Sequence, residues 1–275
     1  MIDADTALKA IGQLPDSEID IASAAVQLAR VDAPGDGWLA ASSHLSDLAR
    51  RSAERAAAMD HQDLSSRAAL LADLLAREYG YFGDRQTYDD PANANLIRVT
   101  ERRRGLPVAL GVIWLHTAGA AGWNCYGVDF PAHFLIALEG QKTRVIIDAF
   151  NGGRVLAARD LRRLLRRVEG DQAELRPGLL QPLSTRRVLL RLQNNILTRR
   201  LDAGDLVGGL RCTEHMVSIA PGHADLWRQA GSLNHKLDRV AAARDCYAKF
   251  LDLVPTGKAA DDVRAQLEIL RSILN

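Results

Sequence analysis

The sequence is poor in cysteine and has no excess of charge of either sign. Its three cysteines (Cys125, Cys212 and Cys246) are widely spaced, and no two of them form a C-x-x-C pair. This pattern is typical of a protein from a reducing compartment, and it gives no zinc-binding motif. The 35 basic and 34 acidic residues leave a net charge of +1. A generic nucleic-acid-binding protein normally has a strong basic excess, so we expect no nucleic acid as a partner.

Neither a secretory leader nor a membrane span is predicted. The first residues, Met1 to Asp5, are acidic and lack a basic region followed by an apolar core. Residues 106–123 carry no charge over about the length of a membrane span, but they include Pro107, His116 and three glycines. We interpret this segment as a central buried helix. We expect a cytoplasmic protein with no membrane partner.

Residues 1–90 show helical rather than strand periodicity. Apolar side chains at helical spacing predict helices over residues 3–30, 38–59 and 62–78. Residues 31–37 are rich in turn formers. The aromatic residues of segment 79–88 are expected to pack a loop onto the core. A further helix is predicted to run from Asp90 and Pro91 through Arg104 and to end at Gly105.

Three short apolar strands are predicted after the central helix, at Cys125–Phe130, Phe134–Leu138 and Arg144–Ile147. The short 140–143 turn favours antiparallel pairing of the last two. His133 stands at the entrance of one of these strands and Asp148 at the exit of the other. If the strands are neighbours, the two side chains can meet, and an Asp that orients a His supplies two of the three members of a nucleophile–base–orienter triad.

An internal repeat follows in the last part of the chain. Pro221 and Pro255 each close an apolar helix and are 34 residues apart, which is the period of a tetratricopeptide repeat. The same shift places Cys212 on Cys246. The segment before the repeat, from Ala158 to Val168, predicts a basic amphipathic helix. Its arginines can bind phosphate, but we favour a solvated face with ion pairs to Glu169 and Asp171.

Several phrases resemble a known family. They are Arg-Arg-Gly-Leu-Pro (103–107), Phe-Pro-Ala-His-Phe-Leu (130–135) and Ile-Asp-Ala-Phe-Asn-Gly-Gly (147–153). They resemble the transglutaminase-like branch of the papain-type thiol enzymes and, more narrowly, the bacterial SirB-type proteins, which add C-terminal tetratricopeptide-like helices. The resemblance in wording covers residues 91–156. Together with the patterns above it implies an α+β fold with three parts: a helical region (1–90), a transglutaminase-like core with a small antiparallel sheet (91–170) and a repeat domain (184–275).

The resemblance implies that His133 and Asp148 are catalytic residues whose nucleophile is missing. Such enzymes keep a Cys at the N-terminus of the core helix, where the helix dipole and the His lower its pKa. Pro107 predicts the start of that helix, and Ala109 occupies the position that matches the Cys. No cofactor is implied. No metal site is predicted, because His116, His133 and the nearby aspartates form no ligand motif.

Other interpretations of these residues remain open. His133 and Asp148 can be a purely structural pair, and Cys125, on the preceding strand, is a possible substitute nucleophile if it faces the His. Arg102–Arg104 can bind an anion at the start of the helix. Alternatively, Arg104 can hydrogen-bond within the loop while the other two face water. Arg104, Asn95 and Asn151 are our candidate binding residues.

Two hypotheses of function follow. The first is a transglutaminase-like protein without the expected nucleophile, which binds a protein or peptide through the old cleft and the repeat helices. The second is a thiol- or hydroxyl-dependent hydrolase or acyl transferase. In that enzyme His133 would be the general base, Asp148 its orienter, and backbone N–H groups at the helix start the oxyanion hole.

Overall fold

The computed structural model describes residues 3–32, 35, 37–60, 63–141 and 143–274. The chain divides into two compact units. One is Pro15–Leu192, and the other combines Met1–Leu14 with Gln193–Asn275. The predicted boundary between residues 90 and 91 therefore falls inside the first unit. Residues 33, 34 and 36 of one predicted turn and residue 142 of another lie outside the described residues.

The described residues form twelve α-helices and seven short strands. The helices are α1 (Ala4–Gln13), α2 (Ile21–Asp32), α3 (Gly37–Ala57), α4 (Leu64–Leu71), α5 (Leu96–Arg102), α6 (Pro107–Ala120), α7 (Ala158–Glu169), α8 (Thr185–Asp202), α9 (Leu206–Ile219), α10 (Ala224–Lys236), α11 (Val240–Leu253) and α12 (Lys258–Leu274). The strands are β1 (Phe82–Gly83), β2 (Arg104–Gly105), β3 (Cys125–Phe130), β4 (His133–Glu139), β5 (Arg144–Asp148), β6 (Arg154–Leu156) and β7 (Pro182–Leu183). A π-helical segment, Ala72–Glu78, continues α4.

The sheet of the first unit has five strands in the order β6-β5-β4-β3-β7, and all its neighbours are antiparallel. The three predicted strands are confirmed to within one residue at each end. The two edge strands, β6 and β7, are only three and two residues long, too short to show alternation in the sequence. The predicted α+β class is correct.

The central helix α6 packs on one side of this sheet. Its first turn begins at Pro107, and most of its side chains are buried. Gly111 allows the aromatic ring of Phe134 to approach, since a Cβ at this glycine would lie 2.3 Å from Phe134 Cε1. The prediction of a buried helix is thus confirmed. Among the described residues, no helix has both the length and the apolar character needed to cross a membrane.

The other side of the sheet packs against α7. Strand alternation places Leu135, Ala137 and Ile146 in one buried cluster. Leu161 and Leu165, from one face of α7, belong to the same cluster. The opposite face of α7 is polar and exposed. The leucines of this basic helix therefore anchor it, and its arginines are left at the surface.

The helix before α6 ends earlier than predicted. Residues 91–93 form a 3₁₀ turn, α5 begins after Asn95, and it ends at Arg102 with Arg103 in the left-handed conformation (φ 57°). Gly105, the predicted end, instead pairs with Gly83 in a parallel β1–β2 bridge. Arg103 tolerates its conformation because its guanidinium hydrogen-bonds His44 Nε2 and the Tyr81 hydroxyl.

The second unit contains the repeat. The aromatic ring of Tyr247 on α11 packs directly on α10, where a Cβ at Gly231 would lie 2.5 Å from Tyr247 Cε1. The helix α1 packs on α9, with Gly12 against the Ser218 backbone. The sequence pattern assigns this first helix to the N-terminal region. It belongs instead to the unit of the repeat helices, where it adds to the few repeats that the sequence supplies.

Candidate functional site

The side chains of His133 and Asp148 meet at the ends of β4 and β5. His133 Nε2 lies 3.0 Å from Asp148 Oδ1. Both strands are antiparallel neighbours in a register that pairs Ile136 with Ile147, so the start of one strand lies beside the end of the other. Asp148 is 2% exposed and His133 is 15% exposed at the side chain. The pair is therefore nearly buried and opens to solvent on the His133 side.

Asp148 is held in place by a second partner. It begins the 3₁₀ turn Ala149–Asn151 and accepts hydrogen bonds from Asn151 N at 3.2 Å and from Asn151 Nδ2 at 2.5 Å. Burial acts to raise the pKa of this carboxyl group, but the hydrogen bonds from His133 and Asn151 outweigh it and hold the pKa below 3.8. Asp148 is thus an anion at neutral pH and can only accept.

That charge fixes the hydrogen on His133. Since ionised Asp148 only accepts, His133 Nε2 carries the donated hydrogen, and in the neutral ring Nδ1 is left as an acceptor. Among the described residues, the hydrogen bond of this ring is the one between Nε2 and Asp148. Phe150 stands edge-on to the imidazole, with the ring centroids 6.1 Å apart. The ring is therefore oriented on one side and chemically open on the other.

His133 and Asp148 share a cleft of about 600 Å³ with the exposed face of α7. Four arginines line it: Arg85, Arg154, Arg163 and Arg167. Asp160 is a further carboxylate, and Tyr88, Phe150, Leu156 and Leu164 supply apolar surface. Among the described residues that line the cleft there is no Cys, Ser or Thr, and Tyr88 has the only hydroxyl group.

Ala109 lies in the first turn of α6, as expected for the position that matches the nucleophile. Its side chain is fully buried, and it is not among the described residues that line the cleft. Because side chains alternate along β4, His133 and Phe134 lie on opposite faces of the sheet, and Phe134 faces α6. The arrangement gives His133 no attacking group from this helix.

Cys125 lies far from His133. It begins β3, where it pairs with Leu138, whereas His133 pairs with Phe130 at the other end of the same strand. Five residues of strand span roughly 17 Å. Burial raises the pKa of the Cys125 thiol to about 11, and the thiol donates to Leu115 O at 3.6 Å. It is therefore a packing residue.

The three arginines before α6 all have internal partners. Arg104 ties the loop as expected, since it donates to Gly80 O at 2.7 Å and to Arg103 O at 2.9 Å. Arg102 forms ion pairs with Asp84 at 3.0 Å and Asp90 at 3.1 Å. Arg102 is exposed, as expected, while it forms these ion pairs. The expectation that Arg103 faces water is wrong, because its guanidinium is held by His44 and Tyr81.

Of the candidate binding residues, Asn151 alone lines the cleft. Arg104 does not line it. Asn95 is 6% exposed and caps α5: its Oδ1 accepts from Arg98 N at 3.2 Å, and its Nδ2 donates to Ala29 O at 2.9 Å. These contacts account for the burial of an amide at this position. A binding role for Arg104 and Asn95 stays a prediction.

Sequence reasoning missed the arginines of the cleft. The basic helix was predicted, but the partners predicted for its arginines were wrong: Arg162 and Arg166 pair with Glu174 rather than with Glu169 or Asp171. The available signal was the i, i+4 spacing of Arg159, Arg163 and Arg167, which places three like charges on one helix face.

No metal site is formed by the aspartates and histidines considered. His116 Nε2 lies 3.1 Å from Leu45 O, and Asp129 pairs with Arg191 at 2.9 Å. Within the described part of the chain, no three His, Cys, Asp or Glu side chains are grouped so that they could hold a metal ion.

Comparison with known proteins decides the family. Residues 40–194 match the family model described as transglutaminase-like superfamily, which is more than half of the chain. The chain belongs to this superfamily. Residues 197–268 match a tetratricopeptide repeat model, so the predicted combination of the two is confirmed.

The transglutaminase-like protein is similar to bacterial proteins of comparable length. A UPF0162 protein of Xylella fastidiosa strain 9a5c is 32% identical over 198 residues, which are 70% of each chain. A UPF0162 protein of Vibrio cholerae is 29% identical over 226 residues, covering 82% of this chain and 83% of the relative. A crystal structure of menin aligns with 97% of this chain and 74% of its own, but at 8% identity and a TM-score of 0.41 this likeness carries no argument.

Proposed function

We propose that this transglutaminase-like protein binds a polypeptide in the cleft beside His133 and Asp148 and does not attack it through a thiol. The observation that carries the proposal is the cleft itself. It holds an oriented imidazole but, among its described lining residues, no Cys, Ser or Thr. An imidazole with one open nitrogen and several arginines can hydrogen-bond backbone and side-chain groups of a peptide.

The repeat helices supply a second, separate argument. Tetratricopeptide repeats generally mediate protein–protein interaction, because stacked helix pairs present a concave surface. Here α10, α11 and α12 border a groove of about 890 Å³. Its lining mixes charged and polar side chains with the aromatic ring of Tyr247.

The enzymatic alternative has one observation in its favour, the hydrogen bond between His133 and Asp148. An oriented base alone does not form a covalent intermediate, however, because acyl transfer of this type needs a nucleophile within reach of the base. Cys125 is at the far end of its strand, and Ala109 has no reactive group. We therefore favour binding.

The test is selection of peptides from a random display library on the full chain, followed by binding measurements on two variants. Leu164→Trp fills the cleft from α7. Val168→Trp adds the same indole to the same helix at a site that is 51% exposed and does not line the cleft. We expect selected peptides to bind the wild type and Val168→Trp and to lose affinity for Leu164→Trp. Equal binding to all three proteins would place the interaction elsewhere and overturn the proposal.

A further inference from the structure

One face of α7 has three arginines in a row. Arg159, Arg163 and Arg167 follow each other at four-residue spacing and are all exposed. Successive members of such a row are about 6 Å apart along the helix axis. We call these three residues the arginine row. It runs alongside the cleft, because Arg163 and Arg167 line the cleft and also line an adjoining depression of about 440 Å³ that includes Arg159.

The arginines of the row form no ion pair within the described part of the chain, although Asp171 lines the same depression. No carboxylate of the described residues lies within 4.0 Å of any of the three guanidinium groups, and none of the three hydrogen-bonds another described side chain. The neighbouring Arg162 and Arg166 differ, since both pair with Glu174. Like charges at four-residue spacing destabilise a helix by a few tenths of a kcal/mol per pair. The chain as a whole is nearly neutral, so this concentration of charge is local.

The carboxylates of the cleft are already occupied. Asp148 accepts from His133 and Asn151, and Asp160 accepts from Arg154 at 2.7 Å and from Ala157 N at 3.1 Å. Arg85 donates to Asn151 Oδ1 and lies over the Phe150 ring, with Cζ 6.0 Å from the ring centroid. What remains for a ligand is the positive arginine row and an apolar patch formed by Tyr88, Phe150 and Leu164.

We propose that the arginine row and the cleft bind an acidic segment of polypeptide in an extended conformation, an inference that rests on the proposed function and names the class of its ligand. Alternate side chains of an extended chain project from the same face about 6.6 Å apart, close to the spacing of the arginines. Carboxylates at alternate positions therefore meet successive guanidinium groups, which can bind them through paired hydrogen bonds.

The same geometry defines the end of the bound segment. The chain that follows the acidic residues enters the cleft, where an aromatic or aliphatic side chain packs on Phe150 and Leu164. His133 Nδ1 accepts a hydrogen bond from a backbone N–H of the segment. The ligand is thus a run of alternating acidic residues next to an apolar residue. A nucleic acid also has negative charge, and its bases can stack on aromatic rings, but the remainder of this nearly neutral chain offers it no general basic surface.

The test is fluorescence anisotropy with the full chain and a labelled peptide that has Glu at alternate positions and one Phe after them. The matched control peptide has Gln in place of Glu. Two protein variants are compared. The triple variant Arg159→Gln/Arg163→Gln/Arg167→Gln removes the arginine row. The double variant Arg162→Gln/Arg166→Gln removes two arginines that are already paired with Glu174. Circular dichroism and thermal unfolding establish that both variants fold.

We expect the Glu peptide to bind the wild type more tightly than the Gln peptide, and the affinity to fall as salt is raised. Loss of three exposed charge contacts lowers it by roughly tenfold or more, whereas the paired-arginine variant changes it little. Equal affinity of the Glu and Gln peptides, or an unchanged affinity in the variant without the arginine row, overturns the inference. Tighter binding of an oligothymidylate or a phosphoserine peptide overturns it in favour of a phosphate ligand. If peptides selected from the library bind in the cleft but contain no acidic residues, this inference is wrong and the proposed function is still supported.

Discussion

His133 Nε2 and Asp148 Oδ1 lie 3.0 Å apart, and Asn151 holds the same carboxylate from its other side through a 2.5 Å hydrogen bond. The carboxylate is almost fully buried, so its charge is balanced by these donors rather than by water. This pairing makes the imidazole rigid without supplying a nucleophile. Its effects on stability and reactivity can each be measured.

Asp148→Asn should destabilise the protein although the shape of the side chain is retained. The amide presents an NH₂ group to at least one of two donors, His133 Nε2–H or Asn151 Nδ2–H, so a buried hydrogen bond is replaced by an unfavourable contact. We expect a loss of about 1–3 kcal/mol in the free energy of unfolding, measured by urea denaturation. The control is Asp171→Asn, which changes an exposed carboxylate and should have little effect. Equal stability of the two variants would mean that the buried charge contributes nothing.

Acid should destabilise the first unit through His44. Burial, and secondly the charge of Arg103, lower the pKa of His44 from 6.5 to about 4. The unfolded chain therefore takes up a proton as the pH falls from about 6.5 to about 4, while the folded protein does not, and stability falls over this window. Because His44 is only partly buried, we expect a modest effect, on the order of 1 kcal/mol.

The measurement is the free energy of unfolding of the wild type and of His44→Gln between pH 7.5 and pH 4.5. Glutamine does not titrate, so the variant should lose less stability on acidification than the wild type. Parallel pH profiles would show that His44 is as easily protonated in the folded protein as in the unfolded chain.

Cys125 should be inert in the native protein. With a pKa of about 11, less than about one molecule in a thousand has the thiolate at pH 7.5. We expect iodoacetamide to leave Cys125 unmodified, in the wild type and in His133→Ala alike, as read by peptide mass spectrometry. Labelling in denaturant gives the full reaction for comparison. Rapid native labelling that His133→Ala abolishes would restore the enzymatic alternative.

Two glycines of α6 should respond oppositely to alanine. A Cβ at Gly111 would lie 2.3 Å from the Phe134 ring, whereas at Gly119 it would meet nothing within 4 Å. Gly111→Ala should lower the free energy of unfolding by about 1–3 kcal/mol because the packed ring must shift. Gly119→Ala should raise it by about 0.5–1 kcal/mol through helix propensity. Thermal unfolding separates the two, and a tolerated Gly111→Ala would contradict the close packing of α6 on the sheet.

Much of the fold could be predicted from periodic patterns in the sequence. The alternating apolar runs predicted β3, β4 and β5, and the 34-residue spacing of Pro221 and Pro255 predicted the repeat, because both are periodic signals written in the sequence itself. The end of α5 was missed since Arg103, not Gly105, takes the left-handed position. That choice depends on His44 and Tyr81, which are distant in sequence and hold the guanidinium.

The candidate site divides in the same way. The sequence by itself determined that His133 and Asp148 stand at adjoining strand ends and that Ala109 offers no thiol, since strand order and residue type suffice for both statements. Tertiary structure alone decided that the arginines of α7, together with Arg85 and Arg154, border the same cleft. They come from separate segments that share no local pattern, and the burial of Leu161 and Leu165 against the sheet leaves the arginines of α7 exposed beside the cleft.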